Sequence, residues 1–136
     1  MNRLILAAAL ALSACAAPGG SEPHGAGDAA VAGLAGEYRV ASVDGQDIDL
    51  PHAITARITH DRIEVESDCI RFAWSYRRDA QGIATLSQPA ASCRRALLPQ
   101  EQAVSEAFAA ATTVTRTPAN GLAFGGGGRS IVLFSQ

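Results

Sequence analysis

Apolar and polar residues alternate along most of the C-terminal part of the chain, and this period of two is typical of strands with one buried and one wet face. Tyr38 and Val40, for example, are each flanked by charged or small residues. Asp44-Gly45 is a strong turn signal, and Asn120-Gly121 is typical of a tight hairpin. Together these features predict an antiparallel meander. The other strand candidates are Ile54 to Ile58, Ile63 to Val65, Phe72 to Tyr76, Ile83 to Leu86, Val114 to Thr117, Leu122 to Phe124 and Ile131 to Phe134.

One segment follows a helical period instead. Pro99 suits the first position of a helix, and the carboxylate of Glu101 is favourable in a first turn. We therefore predict a mostly β fold of the α+β class, an antiparallel strand-rich barrel or sandwich with one amphipathic helix inserted before the last strands. The apolar stripe of that helix would contain Val104, Ala107, Phe108 and Ala111.

The N-terminus has the pattern of an export signal. A short positive start at Asn2-Arg3 precedes an apolar run from Leu4 to Leu12, which is shorter than the ~20 residues of a membrane-spanning helix. Small residues then lead into Cys15, and the segment resembles the lipobox of bacterial lipoproteins. We expect residues 1–14 to be a signal peptide and Cys15 to carry lipid. The resemblance implies an outer-membrane location facing the periplasm, because Ala16 follows the cysteine.

Composition and charge narrow the possible partners. Residues 15–35 are rich in Ala, Gly, Pro and Ser, which predicts a flexible tether, and residues 36–136 would form one domain. The formal net charge is −2 and becomes −3 when the leader, whose one charged side chain is Arg3, is removed. Such a protein has no general attraction for nucleic acid. We expect a monomer whose partners are the membrane, through its lipid, and an envelope protein.

Two cysteines remain after Cys15, namely Cys69 and Cys93. Cysteines of an exported protein pass through an oxidising compartment, so we predict a structural disulfide between them. A metal site or a redox pair is the alternative. Zinc would need more ligands at close spacing, and neither His52 nor His60 lies near a cysteine in a recognisable spacing. The chain contains no Cys-x-x-Cys motif for redox chemistry. We predict no metal and no cofactor.

The order of these features resembles the META domain family, which includes HslJ-like heat-shock proteins. The resemblance extends from Leu34 to the C-terminus and implies a periplasm-facing accessory domain linked with envelope stress. Relatives usually have Gly-Cys-Asn before the aromatic strand, whereas this chain has Asp68-Cys69-Ile70, so no family site is transferred to that segment. The matching features are the opening strand Leu34 to Val40, Val43-Asp44-Gly45, Cys69 with Phe72, Cys93, Glu101 before an Ala-rich helix, an Asn-Gly hairpin, and Leu133-Phe134.

The residues suggest binding more than catalysis. Ser67, Asp68 and His60 are the residue types of a hydrolase, but their order and spacing resemble no nucleophile elbow, so we predict no catalytic residues. A ligand or partner surface could include Asp68, Arg71, Trp74 and Arg129. Our first hypothesis is a non-enzymatic lipoprotein with a binding or stress-protection role.

The alternative hypothesis is an inhibitor of a hydrolase such as a lysozyme or protease. Such an inhibitor would insert an exposed loop into the enzyme, and Asp68 to Arg71 or Gly125 to Ser130 would be the candidate loops. A small-molecule binder would instead have an internal cavity behind the aromatic strand, and an enzyme would have convergent polar groups with perturbed ionisation in a cleft.

Overall fold

The computed structural model describes residues 33–136, so the predicted signal peptide, Cys15 and nearly all of the predicted tether lie outside the described residues. The predicted strand-rich fold with one helix before the last strands is confirmed. The elements in chain order are β1 (Gly36–Val43), β2 (Gln46–Asp47), β3 (Ile54–Ile58), β4 (Arg62–Ser67), β5 (Ile70–Asp79), β6 (Gly82–Gln88), α1 (Pro99–Ala110), β7 (Thr113–Arg116), β8 (Leu122–Gly126) and β9 (Arg129–Ser135).

The strands form one antiparallel sheet in the order β6-β5-β4-β3-β1-β9-β8-β7, with the short β2 paired to β1. The two end strands approach each other where the amide of Ile83 donates to the carbonyl of Thr112 over 3.0 Å, so the sheet nearly closes into a barrel. Gly82 permits this approach, because a Cβ atom at that position would collide with the carbonyl oxygen of Thr112.

Tight turns set the register of two hairpins. Asp44 and Gly45, with φ angles of 52° and 77°, connect β1 to β2, while Gly127 and Gly128, with φ angles of 58° and 75°, connect β8 to β9. Two-residue hairpin turns favour these left-handed conformations because they match the twist of the strands. The Asp44 carboxylate also accepts a hydrogen bond of 3.0 Å from the amide of Ser130, which joins the two turns.

The alternating apolar residues fill the barrel, and α1 packs against β9, β8, β6 and β1. Phe108 of α1 lies between Trp74 and Phe124, with ring centroids 5.1 Å and 5.3 Å away. All three rings are at most 2% exposed, so these three side chains form part of the core. Within residues 33–136, no helix has the length and apolar character needed to cross a membrane.

Candidate interaction surface

A buried polar cluster lies at one end of the barrel, where the last residue of β4 meets the first turn of α1. Ser67 and Glu101 have no exposed surface. The hydroxyl of Ser67 donates to Glu101 Oε1 over 2.7 Å, and the amide of Leu98 donates to Oε2 over 2.8 Å. Arg95 completes the cluster with two hydrogen bonds of 2.7 Å, from Nη1 to Oε2 and from Nη2 to Oε1. The charge of Glu101 is therefore paired and its oxygens are satisfied, as burial requires.

This arrangement keeps Glu101 ionised. The hydrogen bonds from Arg95 are the main cause, and together with those from Ser67 and the Leu98 amide they outweigh the desolvation, so the pKa of Glu101 falls from 4.5 to about 2. The same contact raises the pKa of Arg95. The pair is thus charged on both sides at neutral pH, and it ties the segment before α1 to the helix itself.

His52 lies beside this cluster, which brings a serine, a histidine and a carboxylate together. Its Nε2 is 2.9 Å from Ser67 Oγ and 3.7 Å from Glu101 Oε1. Because the ionised carboxylate can only accept, the single hydroxyl proton of Ser67 goes to Glu101, and His52 must donate to Ser67. A nucleophilic serine needs the opposite arrangement, in which histidine accepts the hydroxyl proton, and it must also be reachable. The geometry is that of a structural network.

The segment between β6 and α1, residues 89–98, is held at several points and is here called the 89–98 loop. The predicted disulfide is confirmed: Cys93 is bonded to Cys69 with their Cα atoms 5.5 Å apart. The amide of Cys93 also donates to the carbonyl of Cys69 over 3.1 Å. Ser92 Oγ both accepts from the amide of Arg71, over 2.7 Å, and donates to its carbonyl, over 3.0 Å. Together with Arg95, these contacts fix most of the loop against the β4–β5 hairpin and α1.

The far part of this loop presents apolar side chains to solvent. Leu97 is 39% exposed and Leu98 is 37% exposed, and both follow the fixed residue Arg95. Leu98 is extended, with φ −70° and ψ 152°, directly before the helix. Arg94 in the same loop is exposed, and so is Asp68 in the turn between β4 and β5. Leu97 and Leu98 thus add adjacent apolar surface to a loop that the disulfide and the Arg95–Glu101 pair hold in place.

Of the four residues predicted to form a ligand or partner surface, only Asp68 and Arg71 lie at this end of the barrel. Asp68 and Arg71 are exposed in the hairpin that carries Cys69. Asp68 has φ 55°, a left-handed conformation that Asp tolerates and that suits the Gly of the family pattern. The prediction that Trp74 contributes to a surface was wrong, because its side chain is 2% exposed and lies in the core.

Arg129 lies away from the 89–98 loop and is held by contacts of its own. It forms ion pairs with Asp44 over 3.0 Å and with Glu106 over 3.1 Å, and its Nη2 donates to the carbonyl of Ala103 over 3.1 Å. These contacts tie α1 to the turns of the β1–β2 and β8–β9 hairpins. The segment from Gly125 to Ser130 is therefore a short hairpin turn held to the domain, and it does not resemble an inserting loop.

The sequence did not predict that three residues would form the buried polar cluster at this end of the barrel. Glu101 was recognised as a favourable first-turn residue and as a feature of the family resemblance, Arg95 was not singled out, and His52 was considered only for metal. Glu101 is the third residue of the helix, a position from which a glutamate can accept from the backbone amide of the N-cap residue, and this could have indicated its bond to the Leu98 amide. Among the described residues, no group of three or more His, Cys, Asp or Glu side chains is arranged to hold a metal ion.

The fold and this end of the barrel define a class: a nearly closed antiparallel barrel with a helix inserted before its last three strands and a disulfide that holds the loop before the helix. The family model for the META domain matches residues 31–136, and the chain belongs to the META domain family. The searches of curated proteins and of solved structures found no match.

Proposed function

We propose that this chain is a non-enzymatic lipoprotein that binds an envelope protein through the 89–98 loop. It would be anchored by lipid on Cys15 at the outer membrane, act as a monomer and face the periplasm, in an accessory or stress-protection role. The observation that carries the proposal is the exposure of Leu97 and Leu98 on a loop that a disulfide and the Arg95–Glu101 pair hold in place.

The fixed loop makes binding favourable for a physical reason. A mobile segment must be ordered when it binds, and each immobilised side chain then costs about 0.5–1.5 kcal/mol. The contacts of Ser92, Cys93 and Arg95 order the loop in the free protein. The two leucines can therefore enter an apolar pocket of the partner with little further ordering. Exposed Arg94 would add electrostatic selection at the rim of such an interface.

The anchor is supported by the leader, the lipobox-like Leu12 to Cys15 and the tether-like composition that follows. It can be tested separately from the loop. Replacing Cys15 with serine should abolish labelling by a fatty-acid analogue and release the protein from membranes. Unchanged membrane association of Cys15→Ser would contradict the anchor.

The partner-binding role is tested by comparing matched exposed leucines. The tagged full-length protein would be purified under mild solubilisation as the wild type, as the double variant Leu97→Ser/Leu98→Ser, and as Leu86→Ser. Leu86 is 67% exposed on β6, outside the loop, and controls for the loss of an exposed apolar side chain. We expect a stoichiometric protein that co-purifies with the wild type and with Leu86→Ser and is lost from the loop variant. Equal recovery with both variants would contradict the proposal.

Inhibition of a secreted hydrolase is a second candidate, and one observation favours it. The backbone before α1 is extended at Leu98 and fixed on both sides, as a loop that occupies an enzyme cleft must be. This candidate uses the 89–98 loop and not the loops expected from the sequence. Direct assays of lysozymes and proteases with the wild type and the Leu97→Ser/Leu98→Ser variant distinguish it. Inhibition that disappears in the variant supports inhibition, and no inhibition at stoichiometric excess excludes it for the enzymes assayed.

A further inference from the structure

A second binding site is suggested by a polar hollow on the outer face of the barrel. We propose that this hollow binds a small zwitterionic ligand, such as a short peptide with a free ammonium and a free carboxylate group. It has a volume of about 530 Å³ and lies between the outer face of β1, β3, β4 and β5 and residues 89–91. Small-molecule sites have volumes of about 300–1,000 Å³. The inference does not depend on the proposed role of Leu97 and Leu98.

The hollow follows from the register of the strands. Glu37 is paired with Arg57, Arg57 with Glu64, and Glu64 with Ala73, so one row of outward side chains crosses four strands. The first three side chains of the row are long, and the fourth is a methyl group. Ala73 is 4% exposed, and with Thr55 from the adjacent row it contributes small side chains to the lining. Residues 89–91 form the remaining side.

The charges around the hollow balance. Three ion pairs contribute to its lining: Arg57 with Glu37 at 2.6 Å, Arg62 with Glu64 at 2.8 Å, and Arg71 with Glu66 at 3.3 Å. A ligand with only negative charge would meet the carboxylates as well as the guanidinium groups, and a cation would meet the reverse. A ligand with both charges can be complementary to both kinds of group.

The six side chains are between 43% and 64% exposed, so their ion pairs contribute little to the stability of the fold. Rearranging these pairs around a ligand would therefore cost little free energy. Arg57 and Arg62 each bind their glutamate through Nε. A guanidinium group that is bound in this way keeps two terminal nitrogens in the fork that binds a carboxylate with two hydrogen bonds. The glutamates can accept hydrogen bonds from an ammonium group with their remaining lone pairs.

The test is calorimetric titration of the full-length protein in non-ionic detergent with the dipeptide alanyl-alanine. Its N-acetyl derivative and its C-terminal amide each remove one ligand charge, and inorganic phosphate serves as a simple anion. We expect saturable binding of the dipeptide and about tenfold weaker binding of each blocked derivative, as for the loss of one charge-assisted contact. Absence of saturable binding, equal binding of a blocked derivative, or equally tight binding of phosphate would overturn the proposal.

Variants locate the site. Ala73→Leu would fill the lining and Arg57→Gln would remove one guanidinium group; each should weaken binding about tenfold, while Leu86→Ala on a different surface should not. Arg57 is 64% exposed, so Arg57→Gln tests the site even where the bulkier Ala73→Leu disturbs folding. Unchanged binding by Arg57→Gln would overturn the placement of the ligand in this hollow. None of these variants changes Leu97 or Leu98, so their outcomes can be separated from partner capture through those two leucines.

Discussion

Arg95 and Glu101 face each other through two parallel hydrogen bonds of 2.7 Å, one on each carboxylate oxygen. The arginine is 30% exposed, whereas the glutamate is fully buried. The pair thus joins a surface loop to the interior of the barrel. It satisfies the buried carboxylate and at the same time determines where the chain runs immediately before Leu97 and Leu98.

Removal of the buried charge should destabilise the domain. Glu101→Gln leaves Arg95 without its carboxylate, so we expect the free energy of unfolding to fall by about 2–4 kcal/mol, somewhat less than for a fully buried pair because Arg95 can turn toward water. Glu106→Gln on the same helix is the matched control; its side chain is 48% exposed, and its loss should cost less than about 1 kcal/mol. Urea unfolding measures both. Equal effects of the two variants would contradict the structural role of Glu101.

The lowered pKa of Glu101 makes the stability of the domain depend on pH. The folded pKa of about 2 lies below the ordinary value of 4.5, so the unfolded chain takes up the proton first as the pH falls. The contribution of Glu101 is complete above pH 4.5 and is lost as the pH falls toward 2. We expect this loss to be on the order of 3 kcal/mol. The measurement is the difference in unfolding free energy between the wild type and Glu101→Gln at several pH values. A difference that stays constant from pH 6 to below 3 would contradict the assignment.

The disulfide should stabilise the domain and restrict the loop. It closes a segment with a sequence separation of 24, for which the chain-entropy model gives about 3 kcal/mol. We expect the double variant Cys69→Ser/Cys93→Ser to lose this amount of unfolding free energy in urea. Its backbone amides at positions 92 and 93 should also exchange faster than those of the oxidised wild type. The unreduced wild type should show no reactive thiol in residues 33–136. Two reactive thiols there would refute the bond.

Trp74 should behave as a core residue. Trp74→Ala removes the ring that packs on Phe108 at 5.1 Å, and we expect the free energy of unfolding to fall by about 3–5 kcal/mol. The control is Phe134→Ala, because Phe134 is aromatic but 51% exposed and should cost clearly less. Thermal unfolding would rank the two variants. A near-neutral Trp74→Ala would place the ring outside the core.

Alternation along the strands predicted most of the fold, because inward residues such as Ile54, Ala56 and Ile58 are apolar and are flanked by polar ones. Strand β2 was missed because Gln46 and Asp47 are too few to show a period. The choice between a barrel and a sandwich, which Sequence analysis left open, could not be made from the sequence. It depends on the approach of Gly82 to Thr112, a contact between segments that are distant in the sequence.

The candidate surface could be predicted only in part. The disulfide followed from the expected compartment and the cysteine count, but the Arg95–Glu101 pair depends on how α1 packs against the end of β4. The exposure of Leu97 and Leu98 had no signal in the sequence, since leucine is among the residues most often buried.

Binding through the 89–98 loop is tested most directly by photo-crosslinking in intact cells, with a photoreactive amino acid in place of Leu97 in the full-length lipidated protein. The same substitution at Leu86, which is exposed on β6 outside the loop, is the comparison. We expect a discrete protein adduct from position 97 that position 86 does not give. No adduct from position 97, or the same adducts from both positions, would contradict binding through the 89–98 loop.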